Sequence, residues 1–390
     1  MNLTSMTQTT TYHIALGSNK GDKIKNLQNA IDAIYNSIGS VQVISKVYKS
    51  PAWGFDSADF YNCCLVLKSE LEPEEVLTQL LDIETFLGRE RTGAKGYQAR
   101  IIDLDIIFVE NNIINTNTLQ VPHPEMENRL FVLLPLHHIA PNFNHPKHNK
   151  TVAHLLENCT DDAVLEPVNI WLKKPNKSFN FSKHNYIAIE GNIGAGKTSL
   201  AKKMANDFNA KLILERYADN PFLPKFYKDA QRYAFTLEMS FLADRYQQVT
   251  DDLEQLDLFK DFVISDYDIF KSLIFSKITL PEDEFKLYRK LFNLMYKDIS
   301  KPDLYIYLYQ NTKRLQENIK KRGRDYEQGI DNTYLEKINA GYLNFLKEQT
   351  DFNVKIIDIS NKDFVNNRSD YIWILHEINH EVLKTTNYSL

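Results

Sequence analysis

The stretch of sequence that most directly predicts chemistry is a run of eight residues, Gly191-Asn192-Ile193-Gly194-Ala195-Gly196-Lys197-Thr198. It fits the pattern G-x-x-x-x-G-K-[ST], in which glycines let backbone N–H groups converge on phosphate oxygens. Lys197 is expected to reach the β- and γ-phosphates, and Thr198 to bind Mg²⁺. The run predicts a site for ATP, at which the N-terminus of the following helix adds its dipole.

Two carboxylates end apolar stretches that would lie beside this run. Glu215 ends KLILE at 211–215, and Asp266 ends DFVISD at 261–266. Ligands of open α/β sheets bind at the carboxyl ends of the strands, so both acids are expected near the phosphates. Asp266 is predicted to be directed at Mg²⁺. A solvated acid at the end of a strand is the alternative for Glu215.

A basic cluster follows the apolar stretch at 303–309. It comprises Lys320, Lys321, Arg322 and Arg324. The guanidinium groups of Arg322 and Arg324 can clamp a transferring phosphoryl group. The alternative is a solvated helix face, which is the commoner role of such a cluster.

A second pair of acids lies in the first half of the chain. Asp103 and Asp105 flank Leu104 in the stretch IIDLDIIFVE at 101–110. A strand has a period of two, so both carboxylates lie on one face. Adjacent carboxylates repel each other unless a cation lies between them, and Mg²⁺ carrying nucleotide phosphates suits that place. An exposed strand face with unpaired acids is the alternative.

The elements that must position these residues form two domains. We predict a disordered tail at 1–10, a first domain at 11–168, a linker at 169–184 and a second domain at 185–390. The first half alternates strands and helices as an α+β sandwich does, with one strand predicted around 41–48. The second half repeats strand, loop and helix, which predicts an α/β fold with a doubly wound parallel sheet.

Composition argues against several classes of protein, among them nucleic-acid-binding, secreted and membrane-spanning proteins. The formal net charge is -5, and no large basic block is present, so a nucleic-acid-binding surface is not indicated. The polar, Thr-rich start does not resemble a signal peptide, and no apolar stretch reaches the length of a membrane span. The three cysteines, Cys63, Cys64 and Cys159, form no C-x-x-C pair and are expected to be reduced thiols. We therefore expect a cytoplasmic enzyme with small-molecule substrates.

The first half resembles a known enzyme family in four ordered blocks: ALGSNKGD at 15–22, SPAWGFDSADFYNC at 50–63, RIIDLDI at 100–106 and VPHPEMENRLFVLLPL at 121–136. They are similar to 6-hydroxymethyl-7,8-dihydropterin pyrophosphokinase, an enzyme of folate synthesis. The resemblance covers about 11–165. It implies a ferredoxin-like α+β fold and ATP-dependent pyrophosphorylation of the pterin.

The resemblance also implies roles for individual residues. Phe60 and Phe131 would sandwich the flat pterin above Trp53, and Asn62 would read the pterin edge. Asp103 and Asp105 would hold Mg²⁺. The residues implied to contact ATP are Glu84, Arg89, Arg100, His123 and Arg129. Of these, Arg89 and Arg100 are implied to be catalytic. The loop at 88–98 would close over ATP.

The second half resembles the bacterial deoxynucleoside kinases, the group that includes the deoxyadenosine and deoxyguanosine kinases. The blocks are IAIEGNIGAGKTSL at 187–200, a long stretch at 214–248, VISDYDIFKSLIF at 263–275 and NIKKRGRDYEQGI at 318–330. The resemblance implies a homodimer formed through this half. Glu215 would activate the 5′-hydroxyl, with Arg245 holding Glu215 or the base. Arg322 and Arg324 would form a lid, and Tyr227 with Glu327 would bind the 3′-hydroxyl.

Two departures from relatives affect the expected chemistry. Many family members have Glu-Arg-Ser where this chain has Ser265-Asp266-Tyr267, so the usual catalytic arginine is missing. At the position that contacts the base, Glu238 with Lys271 replaces the Gln and Asp of animal relatives. A carboxylate accepts hydrogen bonds and purine amines donate them, so we predict a purine deoxynucleoside, adenine or guanine. A protein in which one half only binds ligand, as a sensor or scaffold, is the alternative function.

Overall fold

The computed structural model describes residues 9–53, 57–89, 99–216, 220–254, 259–297, 299–349 and 352–380. The chain divides into two compact units, Met1–Ser178 and Phe179–Leu390. Each unit is built around its own sheet. No helix among the described residues is both long and apolar enough to cross a membrane.

The first unit is an antiparallel sheet covered by helices. Its strands are β1 (Thr10–Ser18), β2 (Ser40–Ile44), β3 (Val47–Ser50), β4 (Phe60–Ser69), β5 (Asp103–Val109), β6 (Ile114–Asn115), β7 (Gln120–Val121) and β8 (Glu166–Val168). Its helices are α1 (Lys23–Ser37), α2 (Pro73–Phe86), α3 (Leu130–Ile139) and α4 (Val152–Glu157). The main sheet has the order β5-β1-β4-β3-β8, with β2 also paired to β4, while β6 and β7 pair separately. Two segments of this unit have the order strand, helix, strand: β1-α1-β2 and, later in the chain, β4-α2-β5.

The single strand predicted around 41–48 is divided into β2 and β3. At the break, the backbone N–H of Ser45 donates to the carbonyl of Cys64 at 2.9 Å. The Ser45 hydroxyl accepts from the N–H of Cys64 at 2.9 Å, and the N–H of Lys46 donates to Nδ1 of His138 at 2.9 Å. These side-chain contacts replace part of the ladder, so both segments pair with β4 but not as one strand.

The second unit is a parallel sheet between helices. Its strands are β9 (Tyr186–Gly191), β10 (Lys211–Ile213), β11 (Val263–Ser265), β12 (Leu304–Tyr309) and β13 (Asn353–Asp358). Its helices are α5 (Lys197–Asp207), α6 (Leu223–Lys228), α7 (Ala230–Glu254), α8 (Lys271–Thr279), α9 (Glu282–Tyr296), α10 (Thr312–Arg322), α11 (Asn332–Lys347) and α12 (Arg368–Asn379). The strand order is β10-β11-β9-β12-β13, and every pair is parallel. This is the parallel α/β architecture predicted for the second half.

Buried tyrosines form much of the core beside β9 and β12. Tyr305, Tyr307 and Tyr342 are fully buried and pack together in one hydrophobic cluster. Two of the three hydroxyls have hydrogen-bond acceptors, whereas that of Tyr305 has no partner among the described residues. Tyr342 donates to Oε2 of Glu190 at 2.9 Å, and Tyr307 donates to Oδ1 of Asn339 at 2.9 Å. The core thus supports the loop that follows β9 with polar contacts as well as apolar packing.

Candidate functional sites

The first unit contains a cavity of about 220 Å³. Its walls come from β1, β4, β5 and the start of α3. The residues predicted from the sequence that line it are Trp53, Phe60, Asn62, Arg100, Asp103, Asp105, His123, Arg129 and Phe131. The structure therefore brings the predicted aromatic, acidic and basic side chains into one space.

The aromatic end of the cavity suits a flat, polar ring. Phe60 and Phe131 both line it, and the ring of Trp53 lies 6.2 Å from that of Phe131. Asn62 is buried and donates from Nδ2 to the hydroxyl of Ser50 at 2.8 Å, which fixes the orientation of its amide. A Cβ at Gly17 would lie 3.0 Å from Oδ1 of Asn62, so glycine keeps that amide accessible. Ser50 and Gly17 were not identified from the sequence.

The acidic end is formed by the two aspartates of β5. Register places Asp105 opposite Ala15 and Asp103 opposite Gly17, two small residues that leave room beside the carboxylates. Burial, and then the charge of Asp103, raise the pKa of Asp105 to about 7. Two crowded carboxylates are relieved by a bound cation, and their oxygens are the ligands Mg²⁺ prefers. The pair therefore fits the metal that the resemblance implies.

Arginines already neutralise one of these acids. Nη1 of Arg89 donates to Oδ1 of Asp103 at 2.6 Å, and Arg100 donates to Oδ2. Arg89 also donates to Glu84, which is buried and accepts from the N–H of Leu104 at 2.8 Å. Glu84 does not line the cavity and contacts β5 and Arg89 instead. Most of the loop predicted to close over ATP, at 90–98, lies outside the described residues.

His123 is placed as a neutral hydrogen-bond donor in the same cavity. Its Nδ1 accepts from the N–H of Glu125 at 3.2 Å, which leaves the proton on Nε2. Burial, and then the charge of Arg129, lower its pKa to about 4. A neutral imidazole N–H beside the Arg129 guanidinium provides the donors that phosphate oxygens accept.

The second unit presents the predicted phosphate loop between β9 and α5. Gly194 and Gly196 have φ of 84° and 85°, a conformation that favours glycine. A Cβ at Gly196 would lie 2.8 Å from the ring of Phe364. Asn192 is buried and donates to the carbonyl of Leu335 and to Oδ1 of Asn339, both at 2.8 Å. The loop is therefore held in shape from beneath by α11.

The cation of the loop, Lys197, donates to backbone carbonyls. Nζ of Lys197 donates to the carbonyls of Gly191 at 2.9 Å and Asn192 at 3.0 Å. Burial, and then the charge of Lys271, lower its pKa to about 8. Phosphate oxygens would give this ammonium the charged partners that the two carbonyls do not.

Thr198 and Asp266 lie together as the predicted metal site requires. The Thr198 hydroxyl donates to Oδ2 of Asp266, whose Oδ1 accepts from the N–H of Glu215 at 2.7 Å. Burial raises the pKa of Asp266. A hydroxyl and a carboxylate in contact beside a phosphate loop supply oxygen ligands suited to Mg²⁺.

Glu215 is held by two cations, one on each oxygen. Oε1 accepts from Nε and Nη2 of Arg245 at 2.9 and 2.8 Å, and Oε2 accepts from Nζ of Lys271 at 2.7 Å. Burial alone would raise the pKa of Glu215, but the charges of Lys271 and Arg245 hold it well below its usual range. Arg245 was expected to hold either Glu215 or the base, and in the structure it contacts Glu215. Lys271, expected beside the base, also lies on Glu215.

Glu238 lies on α7, two turns before Arg245, so the two side chains share a face. It is 3% exposed, so its carboxylate is almost entirely out of contact with water. Oε1 of Glu238 lies 3.0 Å from the hydroxyl of Thr279. Burial raises its pKa to about 7, despite the charge of Arg245.

The predicted lid arginines both contact Glu327. Arg322, the last residue of α10, donates to Oε2, and Nη1 of Arg324 donates to Oε1 at 3.1 Å. Glu327 is 5% exposed. Tyr227 stacks on Tyr326, with ring centroids 6.0 Å apart, which places the predicted 3′-hydroxyl pair close together.

A further cluster with metal-ligating atoms lies in the first unit: Glu127, His145 and His148. Nδ1 of His145 accepts from the N–H groups of Lys147 at 3.2 Å and His148 at 3.3 Å. The proton is therefore on Nε2, which faces Glu127 at 3.3 Å. A ligating histidine has the opposite arrangement, with its second nitrogen donating, so this is a hydrogen-bonded cluster.

The cavity of the first unit and the phosphate loop of the second define a class of protein: two phosphate-transferring enzyme units joined in one chain. The model of the 7,8-dihydro-6-hydroxymethylpterin-pyrophosphokinase family matches residues 13–141, and that of the deoxynucleoside kinase family matches residues 187–384. The pterin pyrophosphokinase of Aquifex aeolicus is 38% identical over 141 residues, which are 36% of this chain and 86% of that protein. The deoxyguanosine kinase of Bacillus subtilis is 38% identical over 190 residues, 48% of this chain and 92% of that protein.

The folic acid synthesis protein of Pneumocystis carinii is 39% identical over 179 residues, which are 45% of this chain but 23% of that longer protein. The chain belongs to both families, the first through its N-terminal half and the second through its C-terminal half. It is a bifunctional enzyme that joins a hydroxymethyl-dihydropterin pyrophosphokinase to a deoxynucleoside kinase, and ATP is the co-substrate of both.

Proposed function

We propose that the kinase half phosphorylates a purine deoxynucleoside, with deoxyguanosine the best acceptor, and that both halves work with Mg²⁺ in the cytoplasm as independent active sites. The observation that carries the base preference is the buried carboxylate of Glu238 on the same face of α7 as Arg245. Guanine presents two adjacent donors, its ring N–H and its exocyclic amine, and an ionised carboxylate presents two acceptors. Thymine would set carbonyl oxygens against that carboxylate.

In the pterin site, Phe60 and Phe131 hold the ring and Asn62 reads its edge. The hydroxymethyl oxygen attacks the β-phosphorus of ATP and loses its proton, the bond from that phosphorus to the α-phosphate oxygen breaks, and AMP leaves with the electron pair of that bond. Mg²⁺ bound by Asp103 and Asp105 would neutralise phosphate charge. Arg100, His123 and Arg129 line the same cavity and donate to phosphate oxygens.

In the kinase site, Glu215 takes the proton of the 5′-hydroxyl as that oxygen attacks the γ-phosphorus. The loop N–H groups and Lys197 hold the β- and γ-phosphates, while Thr198 and Asp266 would bind Mg²⁺, which neutralises phosphate charge. The lid arginines, Arg322 and Arg324, approach the transferred group from α10 and the residues after it.

We also propose that the first unit is a ferredoxin-like fold and that the kinase unit forms a homodimer. The order of elements β-α-β-β-α-β, with β5 beside β1 and β4 between β1 and β2, supports the fold. Leu287 and Leu294 lie two turns apart on α9 and are 50% and 60% exposed. An apolar stripe of this kind on a helix supports a subunit contact.

The test is to measure kcat/KM of the full chain for the four deoxynucleosides with Mg²⁺ and ATP, alongside AMP release with 6-hydroxymethyl-7,8-dihydropterin. Deoxyguanosine is expected to give the highest value and thymidine the lowest. A higher value for thymidine than for both purines would refute the base preference. The alternative, in which one half binds without catalysing, requires that one of the two products is not formed at substrate saturation.

A further inference from the structure

The two cations that hold Glu215 are anchored differently. Arg245 makes two contacts with Oε1 of Glu215, and its Nη1 donates to the hydroxyl of Ser272 at 2.8 Å. Its guanidinium also lies over the ring of Phe241 at 4.7 Å. These contacts on three sides of the planar Arg245 guanidinium fix its position.

Lys271 holds Glu215 through one hydrogen bond, whereas Arg245 makes two. Lys271 is the first residue of α8, and its Nζ donates to Oε2 of Glu215 at 2.7 Å. A lysine ammonium is a point charge on a flexible four-carbon stem, so it can change partners without moving the backbone. In the enzyme without substrates, Lys271 therefore keeps Glu215 ionised. It also occupies Oε2, the oxygen that must accept the proton.

The carboxylate that Lys271 holds lies beside the predicted metal and phosphate site: the N–H of Glu215 donates to Oδ1 of Asp266 at 2.7 Å, and Oδ2 of Asp266 accepts from the hydroxyl of Thr198. A phosphoryl group bound at the phosphate loop carries oxygens that attract an ammonium group, and phosphate is the anion that this loop is expected to bind.

The residue after Asp266 supplies no charge to that space. It is Tyr267, which is fully buried in the hydrophobic cluster of α7 and α9. Lys271 is a buried cation that one carboxylate, Glu215, separates from Asp266.

We propose that Lys271 is a mobile catalytic cation that holds Glu215 in the free enzyme and moves onto the transferred phosphoryl group when both substrates are bound. The inference rests on the kinase function. When Lys271 moves away, Oε2 of Glu215 is open to the 5′-hydroxyl. The proton passes to Glu215, the bond from the 5′-oxygen to the γ-phosphorus forms, and the bond to the β-phosphate oxygen breaks with its electron pair on ADP. Lys271 then neutralises the oxygens of the transferred group.

The test compares Lys271→Met, Lys271→Arg and the control Lys277→Met, in the full chain. Lys277 is exposed in the last turn of the same helix. We would measure kcat and KM with saturating ATP and the best deoxynucleoside acceptor, in a pH series from acid to alkaline. Lys271→Met is expected to lose kcat by roughly 10²- to 10³-fold at every pH, with a similar nucleoside KM. Lys271→Arg should retain a substantial part of kcat, and Lys277→Met all of it.

A residue that only positioned Glu215 would behave differently. Removing its charge would raise the pKa of Glu215, and kcat would recover at alkaline pH, where the base is ionised again. Such a recovery, or a normal kcat in Lys271→Met, would overturn the proposal. If Lys271→Met does not fold, a Lys271→Arg enzyme that melts normally and loses all activity would also overturn it. A pyrimidine as best acceptor would refute the base preference alone, because the test uses whichever acceptor is best.

Discussion

The hydroxyl of Thr279 lies 3.0 Å from Oε1 of Glu238, inside the second unit. Thr279 also lies 2.9 Å from the carbonyl of Phe275, and a hydroxyl has one proton for these two acceptors. Burial raises the pKa of Glu238 to about 7, so near neutrality both the carboxylate and the carboxylic acid are populated. The side chain that we place against the base therefore has two hydrogen-bonding forms.

We predict that base selectivity depends on pH. Above the raised pKa, ionised Glu238 offers two acceptors and fits the two donors of guanine. Below it, the protonated acid offers one donor and one acceptor, which fits N1 and the amine of adenine. The ratio of kcat/KM for deoxyguanosine to that for deoxyadenosine should rise as pH rises through about 7.

The matched variant is Glu238→Gln, whose amide keeps one donor and one acceptor at every pH. It should lose the pH dependence of the ratio, favour deoxyadenosine over deoxyguanosine and relax the preference towards pyrimidines. A ratio that is flat with pH in the unaltered enzyme would contradict this assignment of Glu238.

The second prediction concerns the acidic pair of the pterin site. Asp103→Ala or Asp105→Ala should lower pterin pyrophosphorylation by roughly a hundred-fold or more, because the metal-held phosphates lose a ligand. Release of AMP is the readout, and deoxynucleoside phosphorylation by the same preparation is the control. Normal turnover in both variants would show that Mg²⁺ is not held there.

The third prediction concerns the phosphate loop. Lys197→Ala should abolish deoxynucleoside phosphorylation, because the β- and γ-phosphates lose their cation. Pterin pyrophosphorylation should persist, since Lys197 belongs to the other compact unit. A folded variant that lost both activities together would contradict two independent sites.

Local sequence predicted the local parts of both sites. The loop around Lys197 and the pair Asp103 and Asp105 depend on residues adjacent in the chain, and their patterns specify backbone shape and face. The contact of Lys271 with Glu215 and the burial of Glu238 depend on how α7 and α8 pack against β10. That packing joins residues that are far apart in the chain, so no local sequence pattern predicts it. The parallel α/β class of the second unit followed from strand and helix order, whereas the break between β2 and β3 depended on contacts of Ser45 with a distant strand.

The last prediction concerns Glu327, which accepts from Arg322 and Arg324 and lies near Tyr227. If Glu327 and Tyr227 bind the 3′-hydroxyl, a 2′,3′-dideoxynucleoside leaves buried polar groups unsatisfied. At about 1–3 kcal/mol for such a group, kcat/KM should fall roughly 10- to 100-fold relative to the deoxynucleoside with the same base. In Glu327→Gln this penalty should shrink, because the charged acceptor is already absent. The control is Glu317→Gln, since Glu317 is a half-exposed residue of α10 that pairs with Arg314 at 3.4 Å. An equal penalty in Glu327→Gln and in the unaltered enzyme would mean that Glu327 holds the lid arginines without contacting the sugar.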